Sequence, residues 1–182
     1  MLKKKGQIWI ETVIYTLVGL AMIGLVLAII MPKINQTKDK AVIDQTVDAL
    51  RLMDSKIAEV VQEGPGNVRN VNFGIKRGSL SFNLTGNEIT YEMDDSRVIY
   101  SEPGLETSIG KIKVLTIEGN KFNKIFLKLK YDEDLVFNDG SDEISNGIKT
   151  FTAAATPYKF SFSHLGFTED SNVEKIEIKE NN

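Results

Sequence analysis

The feature that most constrains this chain is an uninterrupted apolar run near its N-terminus. From Thr12 to Met31 the sequence has 20 residues without a charged side chain. At about 1.5 Å per residue, a helix of this length covers the roughly 30 Å hydrocarbon core of a bilayer. A membrane-spanning backbone must satisfy its own polar groups, so the run predicts a transmembrane helix. Three lysines precede it (Lys3, Lys4 and Lys5), and the positive-inside rule then places the N-terminus in the cytoplasm and the body outside the cell.

Other interpretations of the run fit less well. A secretory signal peptide has a shorter apolar core and a small-x-small cleavage site, which is missing after Met31. A buried core helix would need a larger protein around it. A simple signal-anchor helix fits the run but does not explain Glu11. An ionisable side chain there is costly, unless it reaches water at the interface or has a partner.

Composition excludes several kinds of chemistry. The 182 residues contain no cysteine and one histidine, and the formal charge is −3. Disulfides, thiolate nucleophiles, zinc–sulfur sites and sites with several imidazoles are therefore excluded, and a basic nucleic-acid binder is not indicated. Ser161 and Ser163 lie just before His164, but nothing in the sequence shows a Ser–His contact or an orienting acid, so we predict a histidine at the surface or at a strand end. We predict no catalytic residue, cofactor or metal; a membrane-tethered hydrolase using carboxylates stays open.

The segment after the apolar run predicts an amphipathic helix. Pro32 either kinks the helix or begins a new one. Apolar residues then recur at spacings of three and four from Val42 to Val61, which marks one helical face. Gly64-Pro65-Gly66 contains strong helix breakers, so the helix is expected to end near Glu63.

After Asn67, apolar and polar residues alternate with a period of two, which predicts strands. Seven or eight short strands over 67–182 favour an α+β chain, in which a long N-terminal helix is followed by an antiparallel β-sandwich-like head. The separators 76–78 and 85–87 look like hairpin turns joining three antiparallel strands. A short last strand around Ile176 and Ile178 has charged neighbours, which suits a sheet edge.

Two further patterns are candidate modification or binding sites. The sequons Asn35-Gln-Thr37 and Asn83-Leu-Thr85 are candidates for glycosylation. Asn83 is favoured because strand alternation turns it outward, whereas Asn35 lies just past the apolar run. The acidic region 132–143 does not match an EF-hand loop, so we interpret it as a solvated loop, with calcium binding as a minor hypothesis.

The residues before the apolar run carry a resemblance to a known family. Lys3-Lys4-Lys5-Gly6-Gln7-Ile-Trp-Ile-Glu11 resembles the class III, prepilin-type signal peptide of type IV pilins, archaeal pilins and archaellins. The resemblance is strong over 1–31. Over the body it extends only to the β-rich character and the stretch 100–104. It implies a peptidase that cuts between Gly6 and Gln7 at the cytoplasmic face, which makes Glu11 the fifth residue of the mature chain.

Such processing would leave three regions: a leader 1–6, a helix 7–63 whose part 12–31 spans the membrane or forms a filament core, and an extracellular β-rich head 67–182. The new α-amino group of Gln7, with a pKa of about 8, would need a carboxylate in an apolar environment. Glu11 lies four residues away and could pair with it in the same chain or in a neighbour. The resemblance implies that this pairing sets axial register. Losing the three leader lysines would change the formal charge from −3 to −6.

The resemblance implies a structural subunit of an extracellular type IV pilus-like filament, either an archaeal pilin or an archaellin, that serves adhesion or motility. The expected partners are identical or related pilin subunits, a prepilin peptidase, an assembly ATPase and a membrane platform protein, with no nucleic acid. The precursor would lie in the cell membrane with its N-terminus in the cytoplasm. The alternative is a single-span membrane-anchored surface protein with an extracellular β binding domain.

Overall fold

The structure, a computed structural model, describes residues 3–140, 143–167 and 173–181, with side chains from Trp9 onward. The chain divides into two compact units, Met1–Lys38 and Asp39–Asn182. A single helix, α1 (Lys3–Glu63), contributes to both. It continues through Pro32, so the proline neither ends the helix nor starts a second one. The helix ends at Glu63, directly before Gly64, as the breakers predicted.

Eleven strands follow α1 in the described residues. They are β1 (Val68–Phe73), β2 (Ser79–Asn83), β3 (Glu88–Ser96), β4 (Thr107–Ile109), β5 (Ile112–Ile117), β6 (Asn123–Lys130), β7 (Asp134–Asn138), β8 (Glu143–Ile144), β9 (Ile148–Thr152), β10 (Tyr158–Phe167) and β11 (Glu174–Asn181). They form a five-stranded sheet in the order β1-β10-β11-β7-β8 and a six-stranded sheet in the order β4-β5-β6-β3-β2-β9. Every strand pair is antiparallel except β7 with β11, which is parallel. The predicted α+β arrangement is confirmed.

Two predictions about strand neighbours are wrong. The first strand does not form a hairpin with the second: β1 pairs with β10, whereas β2 pairs with β3 and β9. The connection through 76–78 therefore passes from one sheet to the other. The last strand is not an edge, because β11 lies between β10 and β7. Lys175, Glu177 and Lys179 occupy its outward face, while Ile176 and Ile178 are buried, so these charges did not mark an exposed edge.

One hydrophobic core joins the second half of α1 to both sheets. The helix contributes a buried stripe with helical spacing, formed by Ile43, Val47, Leu50, Met53, Ile57 and Val60. Aromatic rings connect the sheets: Phe82 of β2 lies 5.2 Å from Phe160 of β10 and 6.1 Å from Phe137 of β7, between ring centroids. Such pairs add about 0.5–1.5 kcal/mol each beyond the burial of their area.

Gly78 shows why the turn before β2 needs a glycine. Its φ is +76°, a left-handed conformation that residues with a Cβ rarely adopt, and an added Cβ would collide with the carbonyl oxygen of Glu92. The close approach brings the backbone of Arg77 beside Tyr91, whose hydroxyl donates a 2.6 Å hydrogen bond to the Arg77 carbonyl.

Candidate functional site

The first candidate site is the apolar half of α1. Its hydrophobic side chains are exposed on all sides of the helix; Trp9, for example, is 71% exposed and Leu20 likewise 71%. The most apolar 18-residue window of this helix has a mean hydropathy of 2.7 and no buried residue, so by length and composition the helix is able to cross a membrane. Because its own unit does not cover these side chains, they require an apolar environment from outside the chain.

The predicted processing site lies at the start of the same helix. Gly6 and Gln7 fall within α1, as do Lys3, Lys4 and Lys5, but the side chains of these residues lie outside the described ones. Glu11 is exposed and forms no ion pair or hydrogen bond with another described side chain. An unpaired carboxylate at the edge of an apolar segment is available for a partner, which is the property the predicted register pairing requires.

The second candidate site is the attachment of α1 to the head, and its central residue is Asp39. This carboxylate is only 1% exposed. One oxygen accepts a hydrogen bond from Arg77, and the other accepts from the backbone N–H of Arg97 at 2.8 Å. Burial lowers the pKa of Arg77, but its hydrogen bonds to Asp95 and Asp39 outweigh this and raise the pKa overall. The buried charge is therefore fully paired, which its burial requires.

Further polar contacts join the helix to the head beyond Asp39. The Tyr100 hydroxyl donates to Asp44 at 2.8 Å, and burial followed by this carboxylate raises the pKa of Tyr100 to about 12. Lys111 donates to Asp54 at 3.1 Å while lying 4.4 Å from the centre of the Tyr131 ring. Burial, then the nearby Asp54 charge, raises the pKa of Tyr131.

Near the end of the helix, Arg69 of β1 contacts two carboxylates of α1. Its Nε donates to Glu59 at 3.2 Å, and it also pairs with Glu63. The hydrogen bond from Lys56, with help from Arg69, lowers the pKa of Glu59. These ion pairs are partly exposed, so each contributes little stability, but together they fix which face of the helix meets the head.

The pairing of Asp39 with Arg77 and Arg97 was not predicted from the sequence. The signal was present in the spacing, because Asp39 lies four residues before Ile43 and continues the buried stripe toward the N-terminus. A charged residue in that position indicates a buried carboxylate in need of cationic partners. The partners themselves, Arg77 and Arg97, come from two separate loops, and no local pattern identifies them.

His164 corrects the predicted surface histidine. It is 2% exposed and lies within β10, three residues before the strand ends. Its Nδ1 accepts a 2.9 Å hydrogen bond from the Gly166 N–H, and its Nε2 lies 3.8 Å from Glu174. Strand alternation turns Ser161 and Ser163 to the opposite face of the sheet. In the described part of the chain, these contacts do not build a Ser–His arrangement.

The acidic region and the sequons have local partners. Asn87 donates to Asp134, Asn138 donates to Glu177, and Glu143 pairs with Lys175. Ser141 and Asp142 lie outside the described residues. Within those described, no three acidic or histidine side chains converge as a metal site would require. Asn83 is partly exposed at the end of β2, and its side-chain oxygen accepts from the Gly86 N–H at 3.1 Å.

Asn35, the other sequon residue, is partly exposed on α1. Comparisons with protein-family models, curated proteins and solved structures found no match to this chain.

Proposed function

We propose that this protein is a structural subunit of an extracellular type IV pilus-like filament, an archaeal pilin or archaellin. The main support for this proposal is the difference between the two halves of α1. Residues 9–31 expose apolar side chains all round, whereas the stripe from Ile43 to Val60 is buried in the core of the head. A helix of this kind has one half available for neighbours and one half committed to its own head.

In this proposal the precursor lies in the cell membrane with its N-terminus in the cytoplasm. A prepilin peptidase removes residues 1–6 by cutting between Gly6 and Gln7. The apolar helix then packs against identical or related subunits, and Glu11 pairs with the new N-terminus of its own chain or a neighbour. A cytoplasmic ATPase and a membrane platform protein drive assembly, and the subunit itself catalyses no reaction. The head acts as an extracellular β-sandwich and serves adhesion or motility.

Mechanical shear of cells that produce the full chain tests the assembly. We expect the protein to be released as filaments that sediment as a high-mass assembly. Glu11→Gln should lower the sheared fraction, because the amide cannot neutralise a buried ammonium. Glu118→Gln is a matched control on the exposed head and should shear as wild type does. If wild-type protein stays in the membrane fraction as a monomer, the chain is instead an anchored surface protein.

The proposal includes a glycan on Asn83, and with less support one on Asn35. In the folded head the Asn83 side chain bonds to Gly86, and Thr85 accepts from the Gly147 N–H at 3.0 Å, so attachment is expected before the head folds. The mass of the peptide containing Asn83, from protein taken from native cells, should exceed its sequence mass. Thr85→Ala should abolish the excess, and an unmodified wild-type peptide would contradict this part of the proposal.

A further inference from the structure

The outward face of the five-stranded sheet has an unusual composition. In register across four strands lie Asn70 of β1, Ser161 of β10, Lys179 of β11 and Asn138 of β7. The next row in the same sheet consists of Asn72, Lys159 and Asn181. Neither row contains a carboxylate. Asparagine is depleted in strands, so sheet stability alone does not favour four of them on one face.

A cleft lies at the end of the sheet where the second row runs. Its cavity volume is about 620 Å³, within the usual range for small-ligand sites. Asn72, Lys159, Glu180 and Asn181 supply polar groups, and the segment before β10 supplies Ala154 and Pro157. The cleft therefore combines hydrogen-bonding groups with an apolar wall.

The polar groups near the cleft are not used by the fold. Ser161 is 7% exposed, yet its hydroxyl forms no hydrogen bond with another described residue. The side chains of Asn72 and Asn181, and the ammonium of Lys159, likewise have no partner in the described part of the chain. Asn138 differs, because it donates to Glu177 at 2.7 Å and accepts from the Gly140 N–H. Polar groups without a described partner therefore extend from the cleft into the adjoining row, as far as Asn138.

We propose that this cleft and the adjoining row bind a glycan chain. A carboxamide places a donor and an acceptor side by side, which matches neighbouring hydroxyls of a sugar ring. Ala154 and Pro157 offer a surface to the apolar face of a pyranose. Lys159 shares the cleft with the carboxylate of Glu180, and Lys179 lies in the adjoining row, so the site accepts neutral or acidic sugars. Two lysines in a chain of charge −3 are too few for a nucleic-acid site.

The inference does not depend on the filament. All residues involved belong to the unit Asp39–Asn182, whereas assembly is assigned to the N-terminal helix. If the chain forms filaments, the cleft gives each subunit a contact for polysaccharide surfaces. If it does not, a membrane-anchored protein would carry the same site.

The test uses the full chain in a zwitterionic detergent that has no sugar headgroup. Chitotetraose serves as a neutral, amide-bearing probe and tetragalacturonate as an acidic one, each titrated by saturation-transfer NMR. At least one should bind, and both Lys159→Ala and Asn72→Ala should weaken that binding about tenfold. Lys128→Ala removes an outward-facing lysine from the other sheet and should leave binding unchanged. Circular dichroism and urea unfolding should show that all three variants remain folded.

Three outcomes would overturn the inference. One is the absence of binding to either sugar. Another is binding that Lys159→Ala and Lys128→Ala weaken equally, which would mean general charge attraction. The third is binding of single-stranded DNA, at the same salt concentration, in preference to both sugars. None of these outcomes bears on processing after Gly6 or on assembly.

Discussion

The two halves of α1 differ in what covers them. Leu20, in the first half, is 71% exposed, whereas Leu50, in the second, is 0% exposed. The second half concentrates its apolar residues on one stripe and presents Asp44, Asp48 and Arg51 to solvent. The first half has no polar side that would allow it to remain in water. The same helix therefore has a buried apolar stripe in its second half and exposed apolar side chains all round its first half.

The difference between the two halves of α1 is tested by truncating one leucine in each half. Leu50→Ala should lower the free energy of unfolding of the head by about 2–5 kcal/mol, because it leaves a cavity in the core. Leu20→Ala should leave unfolding of the head unchanged, because Leu20 is 71% exposed and its removal leaves no cavity. Urea unfolding followed by circular dichroism measures both. Equal effects of the two variants would contradict the division of α1.

Asp39 marks where burial under the head begins, so its removal tests that boundary. Asp39→Ala deprives Arg77 and the Arg97 N–H of a buried acceptor, and should lower the free energy of unfolding by about 1–3 kcal/mol. Asp48→Ala is the matched control, because Asp48 is 76% exposed and its pair with Arg51 contributes at most about 0.5 kcal/mol. Hydrogen exchange should also speed up at residues 39–46 in the first variant. No change in either measurement would mean that the head does not hold this end of the stripe.

A smaller effect is expected from alkaline pH, and it should be confined to the head. Burial, as the main cause, raises the pKa of Tyr91 from 10.0 to about 12. The folded state therefore keeps the Tyr91 proton at pH values where the unfolded state has lost it. The stabilisation that Tyr91 contributes is complete below pH 10 and is lost as the pH rises toward 12. Tyr91 alone should account for about 2 kcal/mol of this loss.

Urea unfolding between pH 8 and pH 11.5 measures the slope of stability against pH. Tyr91→Phe should reduce the alkaline slope without removing it, because the pKa values of Tyr100 and Tyr131 are also raised. An unchanged slope would show that Tyr91 is not buried as described.

Local sequence patterns predicted the helix and strands of this fold better than they predicted which strands pair. The spacing of apolar residues and the Gly64-Pro65-Gly66 breakers placed the helix and its end. A period of two identified which residues of β2 and β3 face the core. It says nothing about which strands pair across long separations, so the pairing of β1 with β10 was missed. The charged neighbours of Ile176 and Ile178 were mistaken for edge signals, although β11 is a central strand on which they occupy the outward face.

Sequence patterns likewise indicated candidate residues that are close together in the chain, but not those that the fold brings together. The apolar run and Glu11 are contiguous in sequence and could be read directly. The partners of Asp39 come from two distant loops, and the row through Ser161 combines four strands. His164 was predicted at the surface or at a strand end, because its position in register with Phe160 and Phe162 was not used. Strand alternation alone would have placed it inside.

The most direct test of the central claim is the N-terminus of the protein that reaches the cell surface. Surface material is removed from cells by shear and digested, and the N-terminal peptide is identified by mass spectrometry. The account predicts a chain that begins at Gln7, with Glu11 as its fifth residue. An N-terminal peptide that still contains Lys3, Lys4 and Lys5 would contradict it.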